Sequence, residues 1–123
     1  MAINLEKMSA ILQNFVSGTN DVQGAALVTP DGLPLAATLP GGMDEERVSA
    51  MSAAMLSLGE RIGGELARGG IDRIYVEGDT GYGILTSCSE DAVFLVLASQ
   101  AAKQGLLMLE IKRAVSELKA LLQ

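Results

Sequence analysis

Histidine and tryptophan are both absent from this chain of 123 residues, and cysteine occurs once, as Cys88. Without histidine the chain lacks the commonest general base, the histidine-dependent nucleophile pairs and the usual ligands of zinc. A single cysteine excludes an internal disulfide, and neither a basic residue nor a helix start adjoins Cys88 in sequence to activate its thiol. We therefore expect a non-catalytic protein without cofactor or metal, in which Cys88 is a packing residue.

Aromatic residues make up only 3% of the chain although hydrophobic residues make up 49%, so the core must consist of Leu, Val, Ile, Met and Ala. Basic residues are also scarce: 9 Lys and Arg stand against 15 Asp and Glu, a formal net charge of −6. Phosphate backbones and anionic membranes repel such a chain, so we expect neither nucleic acid nor a membrane as partner. The length and the lack of a leader or long apolar run indicate one cytoplasmic domain, residues 1–123.

The stretch GAALVTPDGLPLAATLP, Gly24–Pro40, is typical of two strands joined by a tight turn. Pro30 presets φ at the first turn position, and Gly32 can adopt the left-handed conformation that closes a three-residue loop. We predict strands at 22–29 and 33–39. Because proline cannot donate to a ladder, Pro34 places the second strand at an edge of the sheet.

The rest of the chain alternates between helical and extended patterns. Apolar spacing predicts an opening helix capped by Asn4 and two later helices, one from the acidic residues after Asp44 to about Arg68 and one over 104–122. Further strands are predicted at 71–77, 82–88 and 92–98, and the last is apolar on both faces, as in a central strand. The order α-β-β-α-β-β-β-α predicts an α/β (α+β) fold, an α/β/α sandwich around a five-stranded antiparallel sheet.

If Pro34 marks one edge and 92–98 the centre, the strand 71–77 lies at the opposite edge without proline, lysine or a bulge signal. An unprotected edge promotes aggregation unless another strand pairs with it. We expect a twofold-related copy to pair there, so that one sheet continues across a homodimer. On this interpretation Ile74→Pro removes a donor from the edge and yields a monomer.

The long helix carries two different faces. Val48, Met51, Met55, Leu58 and Ile62 recur on one face, which we expect to pack on the core. The opposite face carries Ala50, Ala53 and Ser57, flanked by Ala54 and Arg61, and small residues there let another backbone approach closely. The alternative is that alanine simply favours the helix.

Two short motifs invite a chemical interpretation. The loop GDTGYG, Gly78–Gly83, lacks the spacing and lysine of a phosphate-binding loop and joins two strands, so a hairpin turn is expected. Asp44, Glu45 and Glu46 place acidic charge at a helix start, which compensates the helix dipole better than it builds a metal site.

Together the hairpin above and the segments DEERVSAMSAAMLSLGERIGGEL, IYVEGDTGYGIL and GLLMLEIKRAV resemble bacterial members of the roadblock family, relatives of the dynein light chains. The resemblance implies a profilin-like sandwich that dimerises through the third strand and second helix. Family members generally act as non-catalytic regulators or scaffolds of small Ras-like GTPases, including those of bacterial gliding polarity. Alternatives are a small-molecule sensor and a structural subunit of a signalling or motor assembly.

The resemblance assigns residues to two surfaces. A GTPase or signalling partner is expected on the paired second helices, and a second copy on the edge strand. The expected partner-binding residues are Glu46, Ala50, Ala53 and Ser57, and the expected dimer contacts are Ile71, Arg73, Ile74, Tyr75, Val76, Glu77, Ala54 and Arg61.

Overall fold

The computed structural model describes residues 4–122 as three helices and five strands in the predicted order. The five strands pair antiparallel in a single sheet in the order β2-β1-β5-β4-β3, so the predicted fold class is confirmed. The helices are α1 (Leu5–Gly18), α2 (Glu45–Glu65) and α3 (Gln104–Leu122), and the strands are β1 (Val22–Val28), β2 (Pro34–Thr38), β3 (Arg73–Gly78), β4 (Gly81–Ser89) and β5 (Ala92–Ser99).

Local hydrogen bonds explain where the first two helices begin. The Asn4 side chain accepts a bond of 3.0 Å from the backbone N–H of Lys7, as predicted for a cap. Asp44 does the same for α2, since its Oδ1 accepts from the N–H groups of Glu46 and Arg47 at 3.0 and 3.3 Å. Asp44 is thus engaged as a helix cap.

The β1–β2 hairpin turns as the sequence predicts. Gly32 has φ of 94°, the left-handed conformation that closes the loop without a steric penalty. The N–H of Thr29 donates to the carbonyl of Leu33 at 2.9 Å, and the N–H of Leu33 donates back to Oγ1 of Thr29 at 3.0 Å. Pro34 follows directly and opens β2 opposite Val28.

The two faces of the sheet are covered unequally. The larger core lies under α1 and α3, where Phe15 and Phe94 meet edge to face with ring centroids 5.4 Å apart. The smaller core lies under α2. Its buried members are Ala26, Val28, Leu85, Val93 and Leu95, and the half-buried residues Val48, Met55, Leu56 and Ile74 are packed against them.

The orientation of α2 differs from the prediction. Met51, Leu58 and Ile62 are 56%, 56% and 50% exposed, so the expectation that they face the core was wrong. Small residues face the sheet instead, since Ser49 and Ser52 are buried. Their hydroxyls donate hydrogen bonds to the carbonyls of Glu45 and Val48 at 2.8 and 2.9 Å.

Glycines explain this orientation. A Cβ at Gly59 would lie 2.5 Å from Cδ1 of Ile74, and one at Gly63 would lie 2.7 Å from Cδ1 of Ile71. The two isoleucines around the start of β3 therefore occupy the space that side chains at Gly59 and Gly63 would fill. Because α2 packs closely through its small residues, its large apolar residues are displaced to its flank.

Candidate interaction surface

β3 forms one edge of the sheet and pairs only with β4 within the described residues. The N–H of Ser87 donates to the carbonyl of Asp72 at 3.0 Å, and the ladder continues from there in regular register. Since hydrogen-bonded pairs alternate along an antiparallel ladder, Ile74 and Val76 bond to β4, whereas Arg73, Tyr75 and Glu77 direct their main-chain groups outward. The outward row is a template for a further strand.

This alternation corrects the expectation for Ile74→Pro. The Ile74 N–H belongs to the β3–β4 ladder, in the pair with Leu85. Proline at that position therefore disrupts the protein's own sheet rather than its free edge. Tyr75 is the position at which proline removes an outward donor.

The side chains of β3 divide between the two faces of the sheet. Ile74 and Val76 lie on the α2 side, where Ile74 contacts α2. On the opposite side Tyr75 donates its hydroxyl to Sδ of Met108 in α3 at 3.1 Å. The Arg73 guanidinium pairs with the Asp72 carboxylate at 3.1 Å, and this hydrogen bond raises the pKa of Arg73.

An exposed apolar surface adjoins this strand. We call it the apolar flank and define it as Met51, Leu58 and Ile62 of α2 together with Val76 of β3, which is 50% exposed. Beside it, between α2 and the outer strands, is a groove of about 450 Å³ with Leu95 and Leu97 in its lining. A cluster of large apolar side chains left in water marks an interaction site.

The predicted partner-binding residues lie on the remaining faces of α2. Glu46, Ala50 and Ser57 are exposed, and so are Ala54 and Arg61, which are predicted as dimer contacts but lie on this same face of α2. Ala53 is half-buried beside the β1–β2 turn, where a Cβ built at Gly32 would lie 3.4 Å from its own Cβ. We call the exposed residues Glu46, Ala50, Ala54, Ser57 and Arg61 the outer face.

Two other candidate sites are explained by packing and turn geometry. Cys88 is fully buried, and desolvation raises the pKa of its thiol to about 11, so the prediction of a packing residue is confirmed. The GDTGYG segment joins β3 to β4, with Gly78 paired to Gly81 across the turn, which confirms the predicted hairpin.

Sequence reasoning missed Met51, Leu58 and Ile62 as surface residues. The missed signal is a row of mostly small residues along α2. Its members are Ser49, Ser52, Gly59 and Gly63, with Leu56 as the one large residue. Its spacing of three and four residues is that of a helix face against a sheet.

The profile of the Roadblock/LC7 domain matches residues 8–98, which is most of the chain. The chain belongs to the Roadblock/LC7 family. A relative named uncharacterized protein MJ0714, from Methanocaldococcus jannaschii, is 33% identical over 103 residues, covering 84% of this chain and 86% of that protein.

Solved structures share the Roadblock/LC7 fold at lower identity. MglB of Myxococcus xanthus superposes with a TM-score of 0.91 at 17% identity, over 99% of this chain and 92% of that one. A structure of MglB with tetrameric arrangement gives 0.86 at 17%, over 95% and 88%. Profilin IA of Acanthamoeba castellanii gives 0.66 at 14%, over 91% and 96%, which supports the profilin-like description. No helix within residues 4–122 is long and apolar enough to cross a bilayer.

Proposed function

We propose that two copies of this Roadblock/LC7 chain pair through β3 and α2, and that the paired helices bind a small Ras-like GTPase as a non-catalytic regulator or scaffold. The observation that carries the proposal is the bare strand edge of β3 beside the exposed apolar flank. Both features are costly in water, and one partner that adds a strand and a helix covers both of them. The tetrameric arrangement named for MglB supports self-association as a property of relatives.

Charge selects one register for the strand pairing. Antiparallel pairing centred on Tyr75 places Arg73 opposite Glu77 of the partner subunit, and the symmetry repeats this pair. Registers centred on Arg73 or on Glu77 place like charges directly opposite, which destabilises a sheet. The favoured register also sets the outward main-chain groups of Tyr75 opposite those of its copy, and those of Arg73 opposite those of Glu77 of the partner subunit, as a hydrogen-bonded ladder requires.

The apolar flank supplies the hydrophobic part of the interface. It lies on the same side of α2 as β3, so a second copy placed by the strand pairing brings its own α2 alongside. Covering Met51, Leu58 and Ile62 removes apolar area from water, and that burial is the main driving force of association. We expect a buried area of ordinary size, about 1,200–2,000 Å² in total.

Cysteine cross-linking tests the register. Cα atoms of a hydrogen-bonded pair lie about 5.5 Å apart, within the range that a disulfide spans. Tyr75→Cys is therefore expected to form a covalent dimer under mild oxidation, seen on non-reducing gels. The buried Cys88 thiol does not compete in the folded protein.

Arg73→Cys is the matched control. In the proposed register Arg73 lies opposite Glu77 of the partner subunit, so the two introduced thiols are separated by four residues of strand, roughly 13 Å. It should remain uncross-linked, whereas Arg73→Cys combined with Glu77→Cys should cross-link. Monomers in light scattering would contradict the dimer itself, and a dimer that cross-links through Arg73→Cys alone would contradict only the register.

The outer face is the surface proposed for the GTPase. Its small side chains at Ala50, Ala54 and Ser57 let another backbone approach, and Glu46 and Arg61 supply charge at its ends. The resemblance to roadblock regulators supports a GTPase as partner. A regulator that binds one nucleotide state more tightly shifts the GTPase toward that state without supplying a catalytic group.

Binding of a Ras-like GTPase from the source organism, loaded with GDP or a GTP analogue, tests this part. Ala50→Glu introduces a bulky charge on the outer face and should weaken binding at least about tenfold while the dimer persists. Ala101→Glu, the same change in the exposed β5–α3 turn, is the control. Equal binding by both variants would contradict the proposed face, and assembly beyond a dimer would favour a structural subunit.

A further inference from the structure

A second cavity lies on the opposite face of the sheet, between α3 and the β3–β4 pair. It is a cleft of about 270 Å³, and we call it the α3 cleft. Its wall is apolar where Met108, Ile111 and Val115 project from α3. Polar and charged residues line the rest: Asp72, Arg73, Thr86, Ser87, Lys112, Ser116 and Lys119.

The charge of the α3 cleft is opposite to that of the whole chain. Arg73 and Asp72 neutralise each other through their ion pair at 3.1 Å. Lys112 and Lys119 form no ion pair with any residue in 4–122 and stand seven residues apart on one side of α3. Glu90 and Asp91 lie near Lys119 in a neighbouring depression, outside the cleft. Two ammonium groups thus line this cleft in a chain of net charge −6.

Thr86 adds an independent observation. It lies in β4 between Arg73 of β3 and Phe94 of β5, with more than nine-tenths of its surface buried. Its hydroxyl oxygen has no hydrogen-bond partner within the described residues. A buried hydroxyl without a partner is destabilising, and a Thr at this position is therefore hard to explain by packing, because Val has the same shape. Thr86 is also one of the residues that line the α3 cleft.

We propose that the α3 cleft binds the phosphate group of a small phosphorylated molecule. Two ammonium groups match the charge of a phosphate dianion, whereas a single carboxylate leaves one of them unmatched. The hydroxyls of Thr86 and Ser116 add neutral donors, and the apolar wall of α3 accommodates a carbon body next to the phosphate. This inference stands independently of the proposed GTPase partner, because no residue of the outer face or of the apolar flank lines the cleft.

Thermal unfolding and amide NMR shifts measure the binding, with inorganic phosphate, phenyl phosphate and acetate as probes at matched ionic strength. Phosphate should raise the unfolding midpoint and shift the amides of Thr86 and Lys112, and phenyl phosphate should bind several-fold more tightly through the apolar wall. Acetate should have a weaker effect than either. Equal effects of all three anions would overturn the phosphate assignment.

Three variants separate a built site from general charge. Lys112→Gln with Lys119→Gln should weaken phosphate binding at least about tenfold, whereas Lys103→Gln, just before the start of α3, should not. Thr86→Val should raise the unfolding midpoint without ligand and reduce the phosphate response. A Thr86→Val protein with an unchanged response, or a Lys103→Gln protein as impaired as the double variant, would overturn the proposal.

Discussion

At one edge of the sheet β2 carries Pro34 and contacts α1, whereas at the other edge β3 carries no proline and pairs with no strand but β4 within residues 4–122. The same contrast extends to the helices. α1 buries Met8, Leu12 and Phe15 completely or nearly so, while α2 leaves Met51, Leu58 and Ile62 half in water. The chain itself covers the β2 edge and the inner face of α1, whereas the β3 edge and one flank of α2 leave backbone and apolar groups exposed. This difference is the reason that the proposed dimer contact is placed on the β3 side.

The covered side should respond most strongly to truncation. Leu12→Ala leaves a cavity beneath α1 and should lower the free energy of unfolding by about 2–5 kcal/mol. Leu58→Ala, the same change on the apolar flank, should alter folding far less and instead weaken self-association. Urea denaturation at fixed protein concentration, with light scattering over a dilution series, measures both effects. Equal loss of folding stability in the two variants would contradict the contrast.

The bare edge should respond most strongly to loss of a backbone donor. Tyr75→Pro removes an outward N–H, twice per dimer, and adds a ring at the strand junction, so the dimer should weaken about ten- to a hundredfold. Tyr75→Ala is the matched control, because it removes the side chain and keeps the donor.

The opposite edge completes this comparison. Pro34→Ala restores a donor on β2 and should leave the oligomeric state unchanged, since α1 lies against that strand. Ultracentrifugation gives the dissociation constants, and circular dichroism checks that the sheet is intact. A Tyr75→Pro dimer as tight as that of Tyr75→Ala would contradict strand pairing.

Substitutions at the close approach of α2 to β3 should have a smaller effect on the free energy of unfolding. Gly63→Ala places its Cβ 2.9 Å from the backbone carbonyl of Gly69 and 2.7 Å from Ile71, and the backbone atom cannot rotate away. We expect a loss of about 1–3 kcal/mol in unfolding free energy. Gly59→Ala meets only the flexible end of Ile74, so its cost should be lower, and the reverse order in thermal unfolding would refute this account of the packing.

A substitution at the C-terminal end of α2 should have the smallest effect on the free energy of unfolding. Ala67 has φ of 56°, and the N–H groups of Ala67 and Arg68 donate back to the carbonyls of Gly64 and Gly63, as in a Schellman cap. Ala67→Gly relieves the left-handed strain and should stabilise the fold by about 0.5–1 kcal/mol. Leu66→Gly, at an ordinary φ of −87°, should not raise the free energy of unfolding. A lower unfolding midpoint for Ala67→Gly would contradict this prediction.

Most of the fold was predictable because its signals are local. Pro34 and Gly32 act through their own backbone stereochemistry, and Asn4 and Asp44 cap their helices within one turn. The double-sided apolar run at 92–98 indicated a central strand, and β5 is central. Boundaries shifted where the local signal was weak: β3 begins at Arg73 rather than Ile71, and α2 ends at Glu65 rather than Arg68.

The candidate site was predictable only in part. The position of β3 at the edge followed from the other strands, but the outward direction of Tyr75 rather than Ile74 depends on the register with β4. The inward face of α2 was assigned to its largest apolar residues, because burial usually follows hydrophobicity. The contacts of Gly59 and Gly63 with two isoleucines reversed that choice. The spacing of small residues in α2 is visible in the sequence, but the isoleucines that occupy the space beside them are not.

The sequence alone determined the order of elements, the edge position of the strand with Pro34, the absence of histidine chemistry and the family. Each of these depends on residue type or on short-range spacing. Tertiary structure decided which groups remain available: the row of outward amides on β3, the apolar flank of α2 and the buried hydroxyl of Thr86. Whether a group stays exposed depends on what packs against it, and the residues that pack against it belong to elements distant in the chain.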